Sequence, residues 1–338
     1  MRIMLVGFGV VSQSFAEILH SQSSELARDY GIRPRVVAAV DSAGAAIDPS
    51  GLDVQLALRS KRESKSLSGL GENVYTEGKP ASEVIREVDC EVVVEATPSE
   101  LTRGEPGLTH VRTAMKEGRH VICVNKGPLA LAMPALMELA THNEIMFKFS
   151  GTVGGGTPVL DLAKKCLEGC SIRSIKGILN GTCNYILTKM AAESVEMKEA
   201  LAEAQKLGYA EADPANDIEG FDSACKLVIT SNYVMGTSLS IRDVDIRGIT
   251  EVTMDSVASA KSQGNALKLV GLVGDGAKVA PEEVPLTHPL NVSGTFNAVT
   301  FDTDPAGEIT LVGKGAGGRE TASSVLRDLI EIRKDFRR

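Results

Sequence analysis

The segment Gly208–Lys226, GYAEADPANDIEGFDSACK, gathers five carboxylates (Glu211, Asp213, Asp217, Glu219 and Asp222) ahead of one lysine. Asp222 and Lys226 are four residues apart, a spacing that puts both on one face of a helix. A lysine held among carboxylates stays protonated and can pass its proton to an oxygen that is gaining charge. The same pair on an exposed helix is an ordinary ion pair contributing about 0.3–0.5 kcal/mol. Asp213, before Pro214, reads as a turn former and Glu219 as a solvated charge. Asp217 stands between these readings, as a partner that could orient Lys226.

Two other runs could bind anions. In GILNGTCNYIL, Gly177–Leu187, a strand ends at Asn180 and a helix starts at Gly181 and Thr182. That turn offers backbone N–H groups and the Thr182 hydroxyl to an anionic group, or is only a capped helix start. At the N-terminus, Gly7-Phe8-Gly9-Val10-Val11-Ser12 lies between the first strand and the first helix. Gly7 permits the tight turn, and Gly9 lets a pyrophosphate approach the backbone and helix end. Ser12 stands where the third glycine of this pattern is expected. Asp41 closes the second strand and can accept from a ribose 2′-hydroxyl, which favours NAD, or can serve as a loop cap. Ser42 and the basic run Arg59–Arg62 leave NADP open.

Later strand ends carry Thr97-Pro98, expected beside the nicotinamide ribose, and Asn125-Lys126, expected to point into a cleft between domains. A lysine at a buried strand end is costly unless paired, so Lys126 is a candidate for both cofactor and substrate, with snorkelling to the surface as the alternative.

The elements that must position these residues fall into two patterns. Over residues 1–150, the runs IMLVG, RVVAAVD, EVVVEAT, HVICVN and IMFKFS alternate with helical spacing, which predicts βαβ units, a parallel sheet and ligands at its carboxyl ends. SKRESKSLSGLGEN reads as a loop or mobile surface segment. SGTVGGGTPV, Ser150–Val159, reads as a hinge. Beyond it, residues 151–312 predict an α+β catalytic and dimerisation domain with helices near 183–192, 195–207 and 221–234. The closing segment 313–338, a Gly-rich turn and an amphipathic helix, is expected to pack back on the first domain. The fold class is therefore α/β, a Rossmann-type dinucleotide-binding domain plus an α+β substrate domain.

With 36 basic and 44 acidic residues, the formal charge of −8 disfavours nucleic acid or an anionic membrane surface as partner. No apolar run reaches the roughly 18–20 residues needed to span a bilayer. The scattered cysteines read as structural thiols and the N-terminus as a mature cytoplasmic start. His20, His110, His120, His142 and His288 form no catalytic pattern and are assigned to surface or packing roles.

Taken in order, GFGVVSQS, VEATP, NKGPL, GTVGGGTPV, GILNGTCNYIL, LGYAEADPANDIEGFDSACK and GKGAGGRETAS span nearly the whole chain, and together they resemble homoserine dehydrogenase in its short form without a regulatory or kinase domain. The resemblance implies NAD(P)-dependent interconversion of L-homoserine and L-aspartate 4-semialdehyde in threonine and methionine biosynthesis, by a homodimer assembled through the second domain's sheet. It implies Lys226 as general acid/base and Glu211 and Asp222 as substrate ligands. Asp217, Lys126, Gly181, Thr182 and Tyr185 complete the expected substrate wall. Gly208, Gly315 and Gly317 join Gly7, Phe8, Gly9, Val10, Val11, Asp41, Thr97, Pro98 and Lys126 as expected cofactor contacts. A sodium ion is implied at the positions of Ser150, Val153, Gly155 and Thr157, although Ser150 replaces a glutamate frequent there. Two other readings stay open on the residues alone: another Rossmann-fold oxidoreductase of a small amino or hydroxy acid, and a non-catalytic NAD(P)-binding sensor.

Overall fold

The computed structural model describes residues 1–336; residues 337 and 338, the end of the expected C-terminal segment, lie outside the described residues. The chain divides into two compact units, Met1–Thr152 with the segment from Gly317 onward, and Val153–Ala316. The boundaries expected from the sequence lay at 150 and 312.

In the first unit, Val-rich runs form consecutive buried residues because the sheet is covered on both faces. Its strands are β1 (Arg2–Val6), β2 (Arg35–Val40), β3 (Gly44–Ile47), β4 (Tyr75–Glu77), β5 (Val92–Glu95), β6 (His120–Cys123) and β7 (Phe147–Lys148), in the order β4-β3-β2-β1-β5-β6-β7. The pairs β1–β2, β1–β5, β5–β6 and β6–β7 are parallel. Strand order reverses at β1, so its carboxyl end is the topological switch point where ligands bind in such sheets. The helices are α1 (Val10–Ser21), α2 (Ser23–Tyr30), α3 (Val54–Ser64), α4 (Ala81–Glu87), α5 (Gly107–Lys116) and α6 (Lys126–His142). The closing helix, Gly318–Asp335, buries Ala322, Val325, Leu329 and Ile332, one stripe at helical spacing, and lies so close to α1 that a Cβ at Gly318 would meet Val10 at 2.4 Å.

The structure adds to the expected pattern in two places. The short strands β3 and β4, which the sequence reading did not contain, extend the sheet antiparallel from β2. The segment read as a loop or mobile surface segment is part helix and part loop: α3 runs to Ser64, and a 3-10 turn covers Ser68–Leu70. Leu67 is fully buried, and the Ser60 hydroxyl donates to Ser66 O (2.8 Å) while accepting from Gly69 N–H (2.9 Å). Its polar composition therefore builds side chain-to-backbone bonds around one apolar anchor.

The second unit contains α7 (Val159–Asp161), β8 (Ser171–Ile178), α8 (Gly181–Glu193), α9 (Met197–Lys206), α10 (Ala215–Ile218) and α11 (Phe221–Met235). There follow β9 (Asp245–Ile246), α12 (Met254–Ser262), β10 (Asn265–Val273), β11 (Ala277–Pro285), β12 (Phe296–Asp304) and β13 (Gly307–Lys314). Its sheet runs β13-β12-β8-β10-β11-β9, antiparallel except at β11–β9. Gly177 and Gly271 are cross-strand partners. A Cβ at Gly271 would lie 3.2 Å from Leu179 and 3.5 Å from Leu227. The missing side chains let α11 approach the sheet, which brings its first turns to the end of β8.

Candidate active site

In the first unit, a cavity of about 610 Å³ opens at the carboxyl ends of β1, β2 and β5, lined among others by Gly7, Phe8, Gly9, Asp41, Lys61, Thr97, Pro98 and His110. Gly7 has φ +87°, and a Cβ there would lie 2.7 Å from the Ala96–Thr97 backbone. Gly9 caps α1 without a side-chain bond, and no atom lies within 4 Å of a Cβ built there. The helix end is thus open to an anion, and the residues present fit a dinucleotide. Val10 is exposed and Val11 half-buried in the first turn. Ser12 is fully buried with its hydroxyl unpartnered, so the departure from glycine leaves an unsatisfied group, a type that costs roughly 1–3 kcal/mol.

Asp41 Oδ1 accepts from the N–H groups of Ala43 (2.9 Å) and Gly44 (3.2 Å), while Oδ2 pairs with Lys61 Nζ at 2.5 Å. Asp41 thus caps its own loop, the alternative reading of that residue, while it pairs with Lys61. The cation comes from within the basic run, and the cavity edge carries both signs.

Thr97, Pro98, Ser99 and His110 of this lining belong to a cluster the sequence reading missed. Glu95, with no solvent exposure, accepts from Thr97 N–H (2.9 Å), from the Thr97 hydroxyl and from Asn125 Nδ2 (3.3 Å), and is 2.8 Å from His110 Nδ1. Asn125 Nδ2 also donates to Pro98 O (3.3 Å), and Ser99 Oγ accepts from Lys126 N–H (2.9 Å). Of the five histidines assigned to surface or packing roles, His110 is buried against the Glu95 carboxylate and also lines the cavity. Its one signal was a glutamate closing an all-valine strand, which burial alone would disfavour.

In the second unit, α11 places Lys226 at 7% exposure. Its Nζ donates to Leu179 O (2.7 Å) and pairs with Asp222 Oδ2 (2.7 Å), the four-residue spacing read from the sequence. Asn180 caps α8 by accepting from Cys183 N–H (2.8 Å), and its Nδ2 donates to both Asp217 Oδ1 (2.6 Å) and Asp222 Oδ2 (2.8 Å). Burial, and then the Asp222 charge, push the Asp217 carboxyl above its usual range. One amide thus joins two carboxylates, one of them paired with the lysine.

The other expected residues divide. The Thr182 hydroxyl donates to Tyr209 O (2.7 Å), and Gly181 fits because a Cβ would lie 2.7 Å from Thr295 O. Tyr185 joins a separate cluster: its hydroxyl donates to Glu203 (2.7 Å), which also pairs with Lys189 (2.8 Å). Glu211 is exposed, its main-chain carbonyl accepting from Gln205 Nε2 at 3.1 Å. Gly208 has φ +76°, Gly315 is buried, and Gly317 caps the closing helix with φ +126°. At the expected sodium positions, Ser150 Oγ donates to Asp328 (2.6 Å) and Thr157 Oγ1 to Lys314 O (3.1 Å), while Val153 is buried and Gly155 has φ +54°.

The homoserine dehydrogenase family profile matches residues 158–330, and the profile of that family's NAD binding domain matches residues 7–149. The chain is 45% identical to the homoserine dehydrogenase of Methanocaldococcus jannaschii, covering 98% of each chain. It is 36% identical to the NAD(+)-dependent homoserine dehydrogenase of Pseudomonas canavaninivorans over 100% of this chain and 97% of that one. A hyperthermophilic archaeal homoserine dehydrogenase solved in complex with NADPH superposes with a TM-score of 0.85 at 30% identity, covering 99% of this chain and 98% of that one. With both family profiles matched and identity sustained end to end, the chain belongs to the homoserine dehydrogenase family, NAD(P)-dependent oxidoreductases acting on a CH–OH group.

Proposed function

We propose that this chain interconverts L-homoserine and L-aspartate 4-semialdehyde, with Lys226 as the proton-transfer group. The observation that carries this reading is the placement of Lys226 Nζ, buried and fixed between Asp222 and Leu179 O. A bound nicotinamide would supply the hydride chemistry at the carbon that bears the oxygen. In oxidation, the neutral Lys226 amine takes the hydroxyl proton; in reduction, its ammonium gives a proton to the forming alkoxide. Asp222, Asp217 and Glu211 face the cationic end of an amino-acid substrate. The first-turn N–H groups of Gly181 and Thr182 suit its carboxylate.

Gly7, Phe8, Gly9, Asp41, Thr97 and Pro98 hold the dinucleotide, with Val10 and Val11 in the helix turn beneath it. Lys126, Gly208, Gly315 and Gly317 are further contacts carried over from the family pattern. Asp41 suits a free 2′-hydroxyl and Lys61 a 2′-phosphate, so NAD and NADP both have a counterpart on this wall. A sodium ion at Ser150, Val153, Gly155 and Thr157 would rest mostly on main-chain carbonyls, as the family resemblance implies. We assign a homodimer built on the sheet of the second unit. We assign a cytoplasmic setting, in which the six cysteines stay as thiols; no described helix is long and apolar enough to cross a membrane.

The test is the absorbance of reduced nicotinamide with homoserine and each of NAD and NADP, set against serine and threonine. Homoserine-dependent reduction is expected. Nucleotide binding without turnover, or turnover confined to another hydroxy amino acid, would overturn the reading.

A further inference from the structure

Asn297, on β12, is 3% exposed and has no place in the chemistry above. Its Nδ2 donates to Leu179 O at 3.0 Å, the same carbonyl that accepts from Lys226 Nζ at 2.7 Å. Because Leu179 O can only accept, this contact fixes which end of the amide carries nitrogen. The other end, Oδ1, is sealed from solvent and has no hydrogen-bond partner. The backbone at Gly315 lies against the amide so closely that a Cβ there would fall 2.0 Å from Nδ2 and 2.4 Å from Oδ1.

A buried amide with half its capacity unused is a poor choice for stability, since the unpaired oxygen costs roughly 1–3 kcal/mol and leucine of similar size would avoid it. What leucine could not do is donate to Leu179 O. A carbonyl oxygen has two lone pairs, and here one takes Asn297 and the other Lys226. An ammonium has three N–H bonds in fixed tetrahedral directions. Two are set by Asp222 and Leu179 O, so the direction of the third follows from where that carbonyl points.

We propose that Asn297 is a positioning residue for Lys226: by holding the Leu179 carbonyl, it aims the remaining N–H bond of the lysine at the substrate oxygen. This rests on the assignment of Lys226 as the proton-transfer group. It also gives the glycine at 315 a role within its own unit, which is to leave room for the amide. Leu179 directly precedes Asn180, so the same hold steadies the residue that joins Asp217 to Asp222.

The test uses the full-length enzyme with Asn297→Leu, which keeps the number of side-chain heavy atoms and removes the donor, and Asn297→Ala, which removes the whole amide. Homoserine oxidation should lose about ten- to hundredfold in kcat in both variants, the scale expected of a misaimed catalytic group. KM for the dinucleotide should stay within about twofold, and the solvent deuterium isotope effect on kcat should rise because proton transfer becomes limiting. A merely structural role would lower Tm without raising the isotope effect. If either variant folds with wild-type melting and keeps kcat within about twofold, the inference is wrong. Lys226→Ala, measured in parallel, separates the two claims. An inactive Lys226→Ala beside an active Asn297→Leu refutes only the positioning role, whereas an active Lys226→Ala removes the reading beneath it.

Discussion

The two units build their sites from different materials. The cavity of the first is shaped by backbone: Gly7 in a left-handed conformation, Gly9 open at a helix end, and a buried glutamate saturated by its neighbours. The lysine cluster of the second is shaped by side chains whose demands are only partly met. Asp217 is pushed toward its neutral form, and Asn297 Oδ1 has no partner. A dinucleotide presents fixed phosphates and hydroxyls, which preorganised N–H groups meet without moving charge. A proton carrier must change charge in each cycle, and its surroundings cannot fully satisfy both states.

If that contrast is right, the first unit should fail by shape and the second by charge. Gly7→Ala has the largest expected effect on stability. The left-handed backbone and the contact at 2.7 Å with Ala96–Thr97 together should cost about 2–5 kcal/mol. A urea melt would read this, alongside a weakened Kd for the reduced dinucleotide by fluorescence titration. Unchanged melting and unchanged Kd would break the claim that backbone geometry makes this cavity.

A smaller effect is expected at Lys268, 2% exposed on β10 in the second unit. Its Nζ donates only to neutral oxygens: Val292 O at 2.6 Å, Asn184 Oδ1 at 2.9 Å and Thr188 Oγ1 at 3.3 Å. Glu282, its cross-strand partner, pairs with Lys278 instead. Burial lowers the Lys268 pKa from 10.5 to about 8. The folded state therefore gives up this proton more readily than the unfolded chain does. That contribution is fully present above pH 10.5 and is lost as pH falls through about 8. Stability of the wild type should rise by up to about 3 kcal/mol across that window, relative to Lys268→Met. Parallel stability curves for the two proteins would show that burial here carries no charge penalty.

How much of this was legible in the sequence follows from how local each feature is. The valine runs of β2, β5 and β6 announced buried strands, and Asp222–Lys226 announced a shared helix face, because both patterns repeat within a turn or a pleat. Gly7-Phe8-Gly9 was readable because strand, turn and helix are contiguous. The strands Gly44–Ile47 and Tyr75–Glu77 were not readable, being short segments made into strands by pairing with β2 and with each other. Lys61 was visible as a cation but not as the partner of Asp41, since they are brought together by the path from β2 through α3. The Glu95–His110 contact and the sharing of Leu179 O by Lys226 and Asn297 join separate elements, so no periodicity points to them. Tyr185 shows the reverse: motif position suggested substrate, while its neighbours turn the hydroxyl to Glu203.

The most direct measurement of the central claim is single-turnover oxidation of homoserine by Lys226→Ala, with dinucleotide affinity measured on the same preparation. The variant should bind the dinucleotide within about twofold of wild type and lose at least roughly 10²-fold in the rate of reduced-nicotinamide formation, as removal of a general acid/base predicts. A rate within a few-fold of wild type would contradict the account and move the proton to another group.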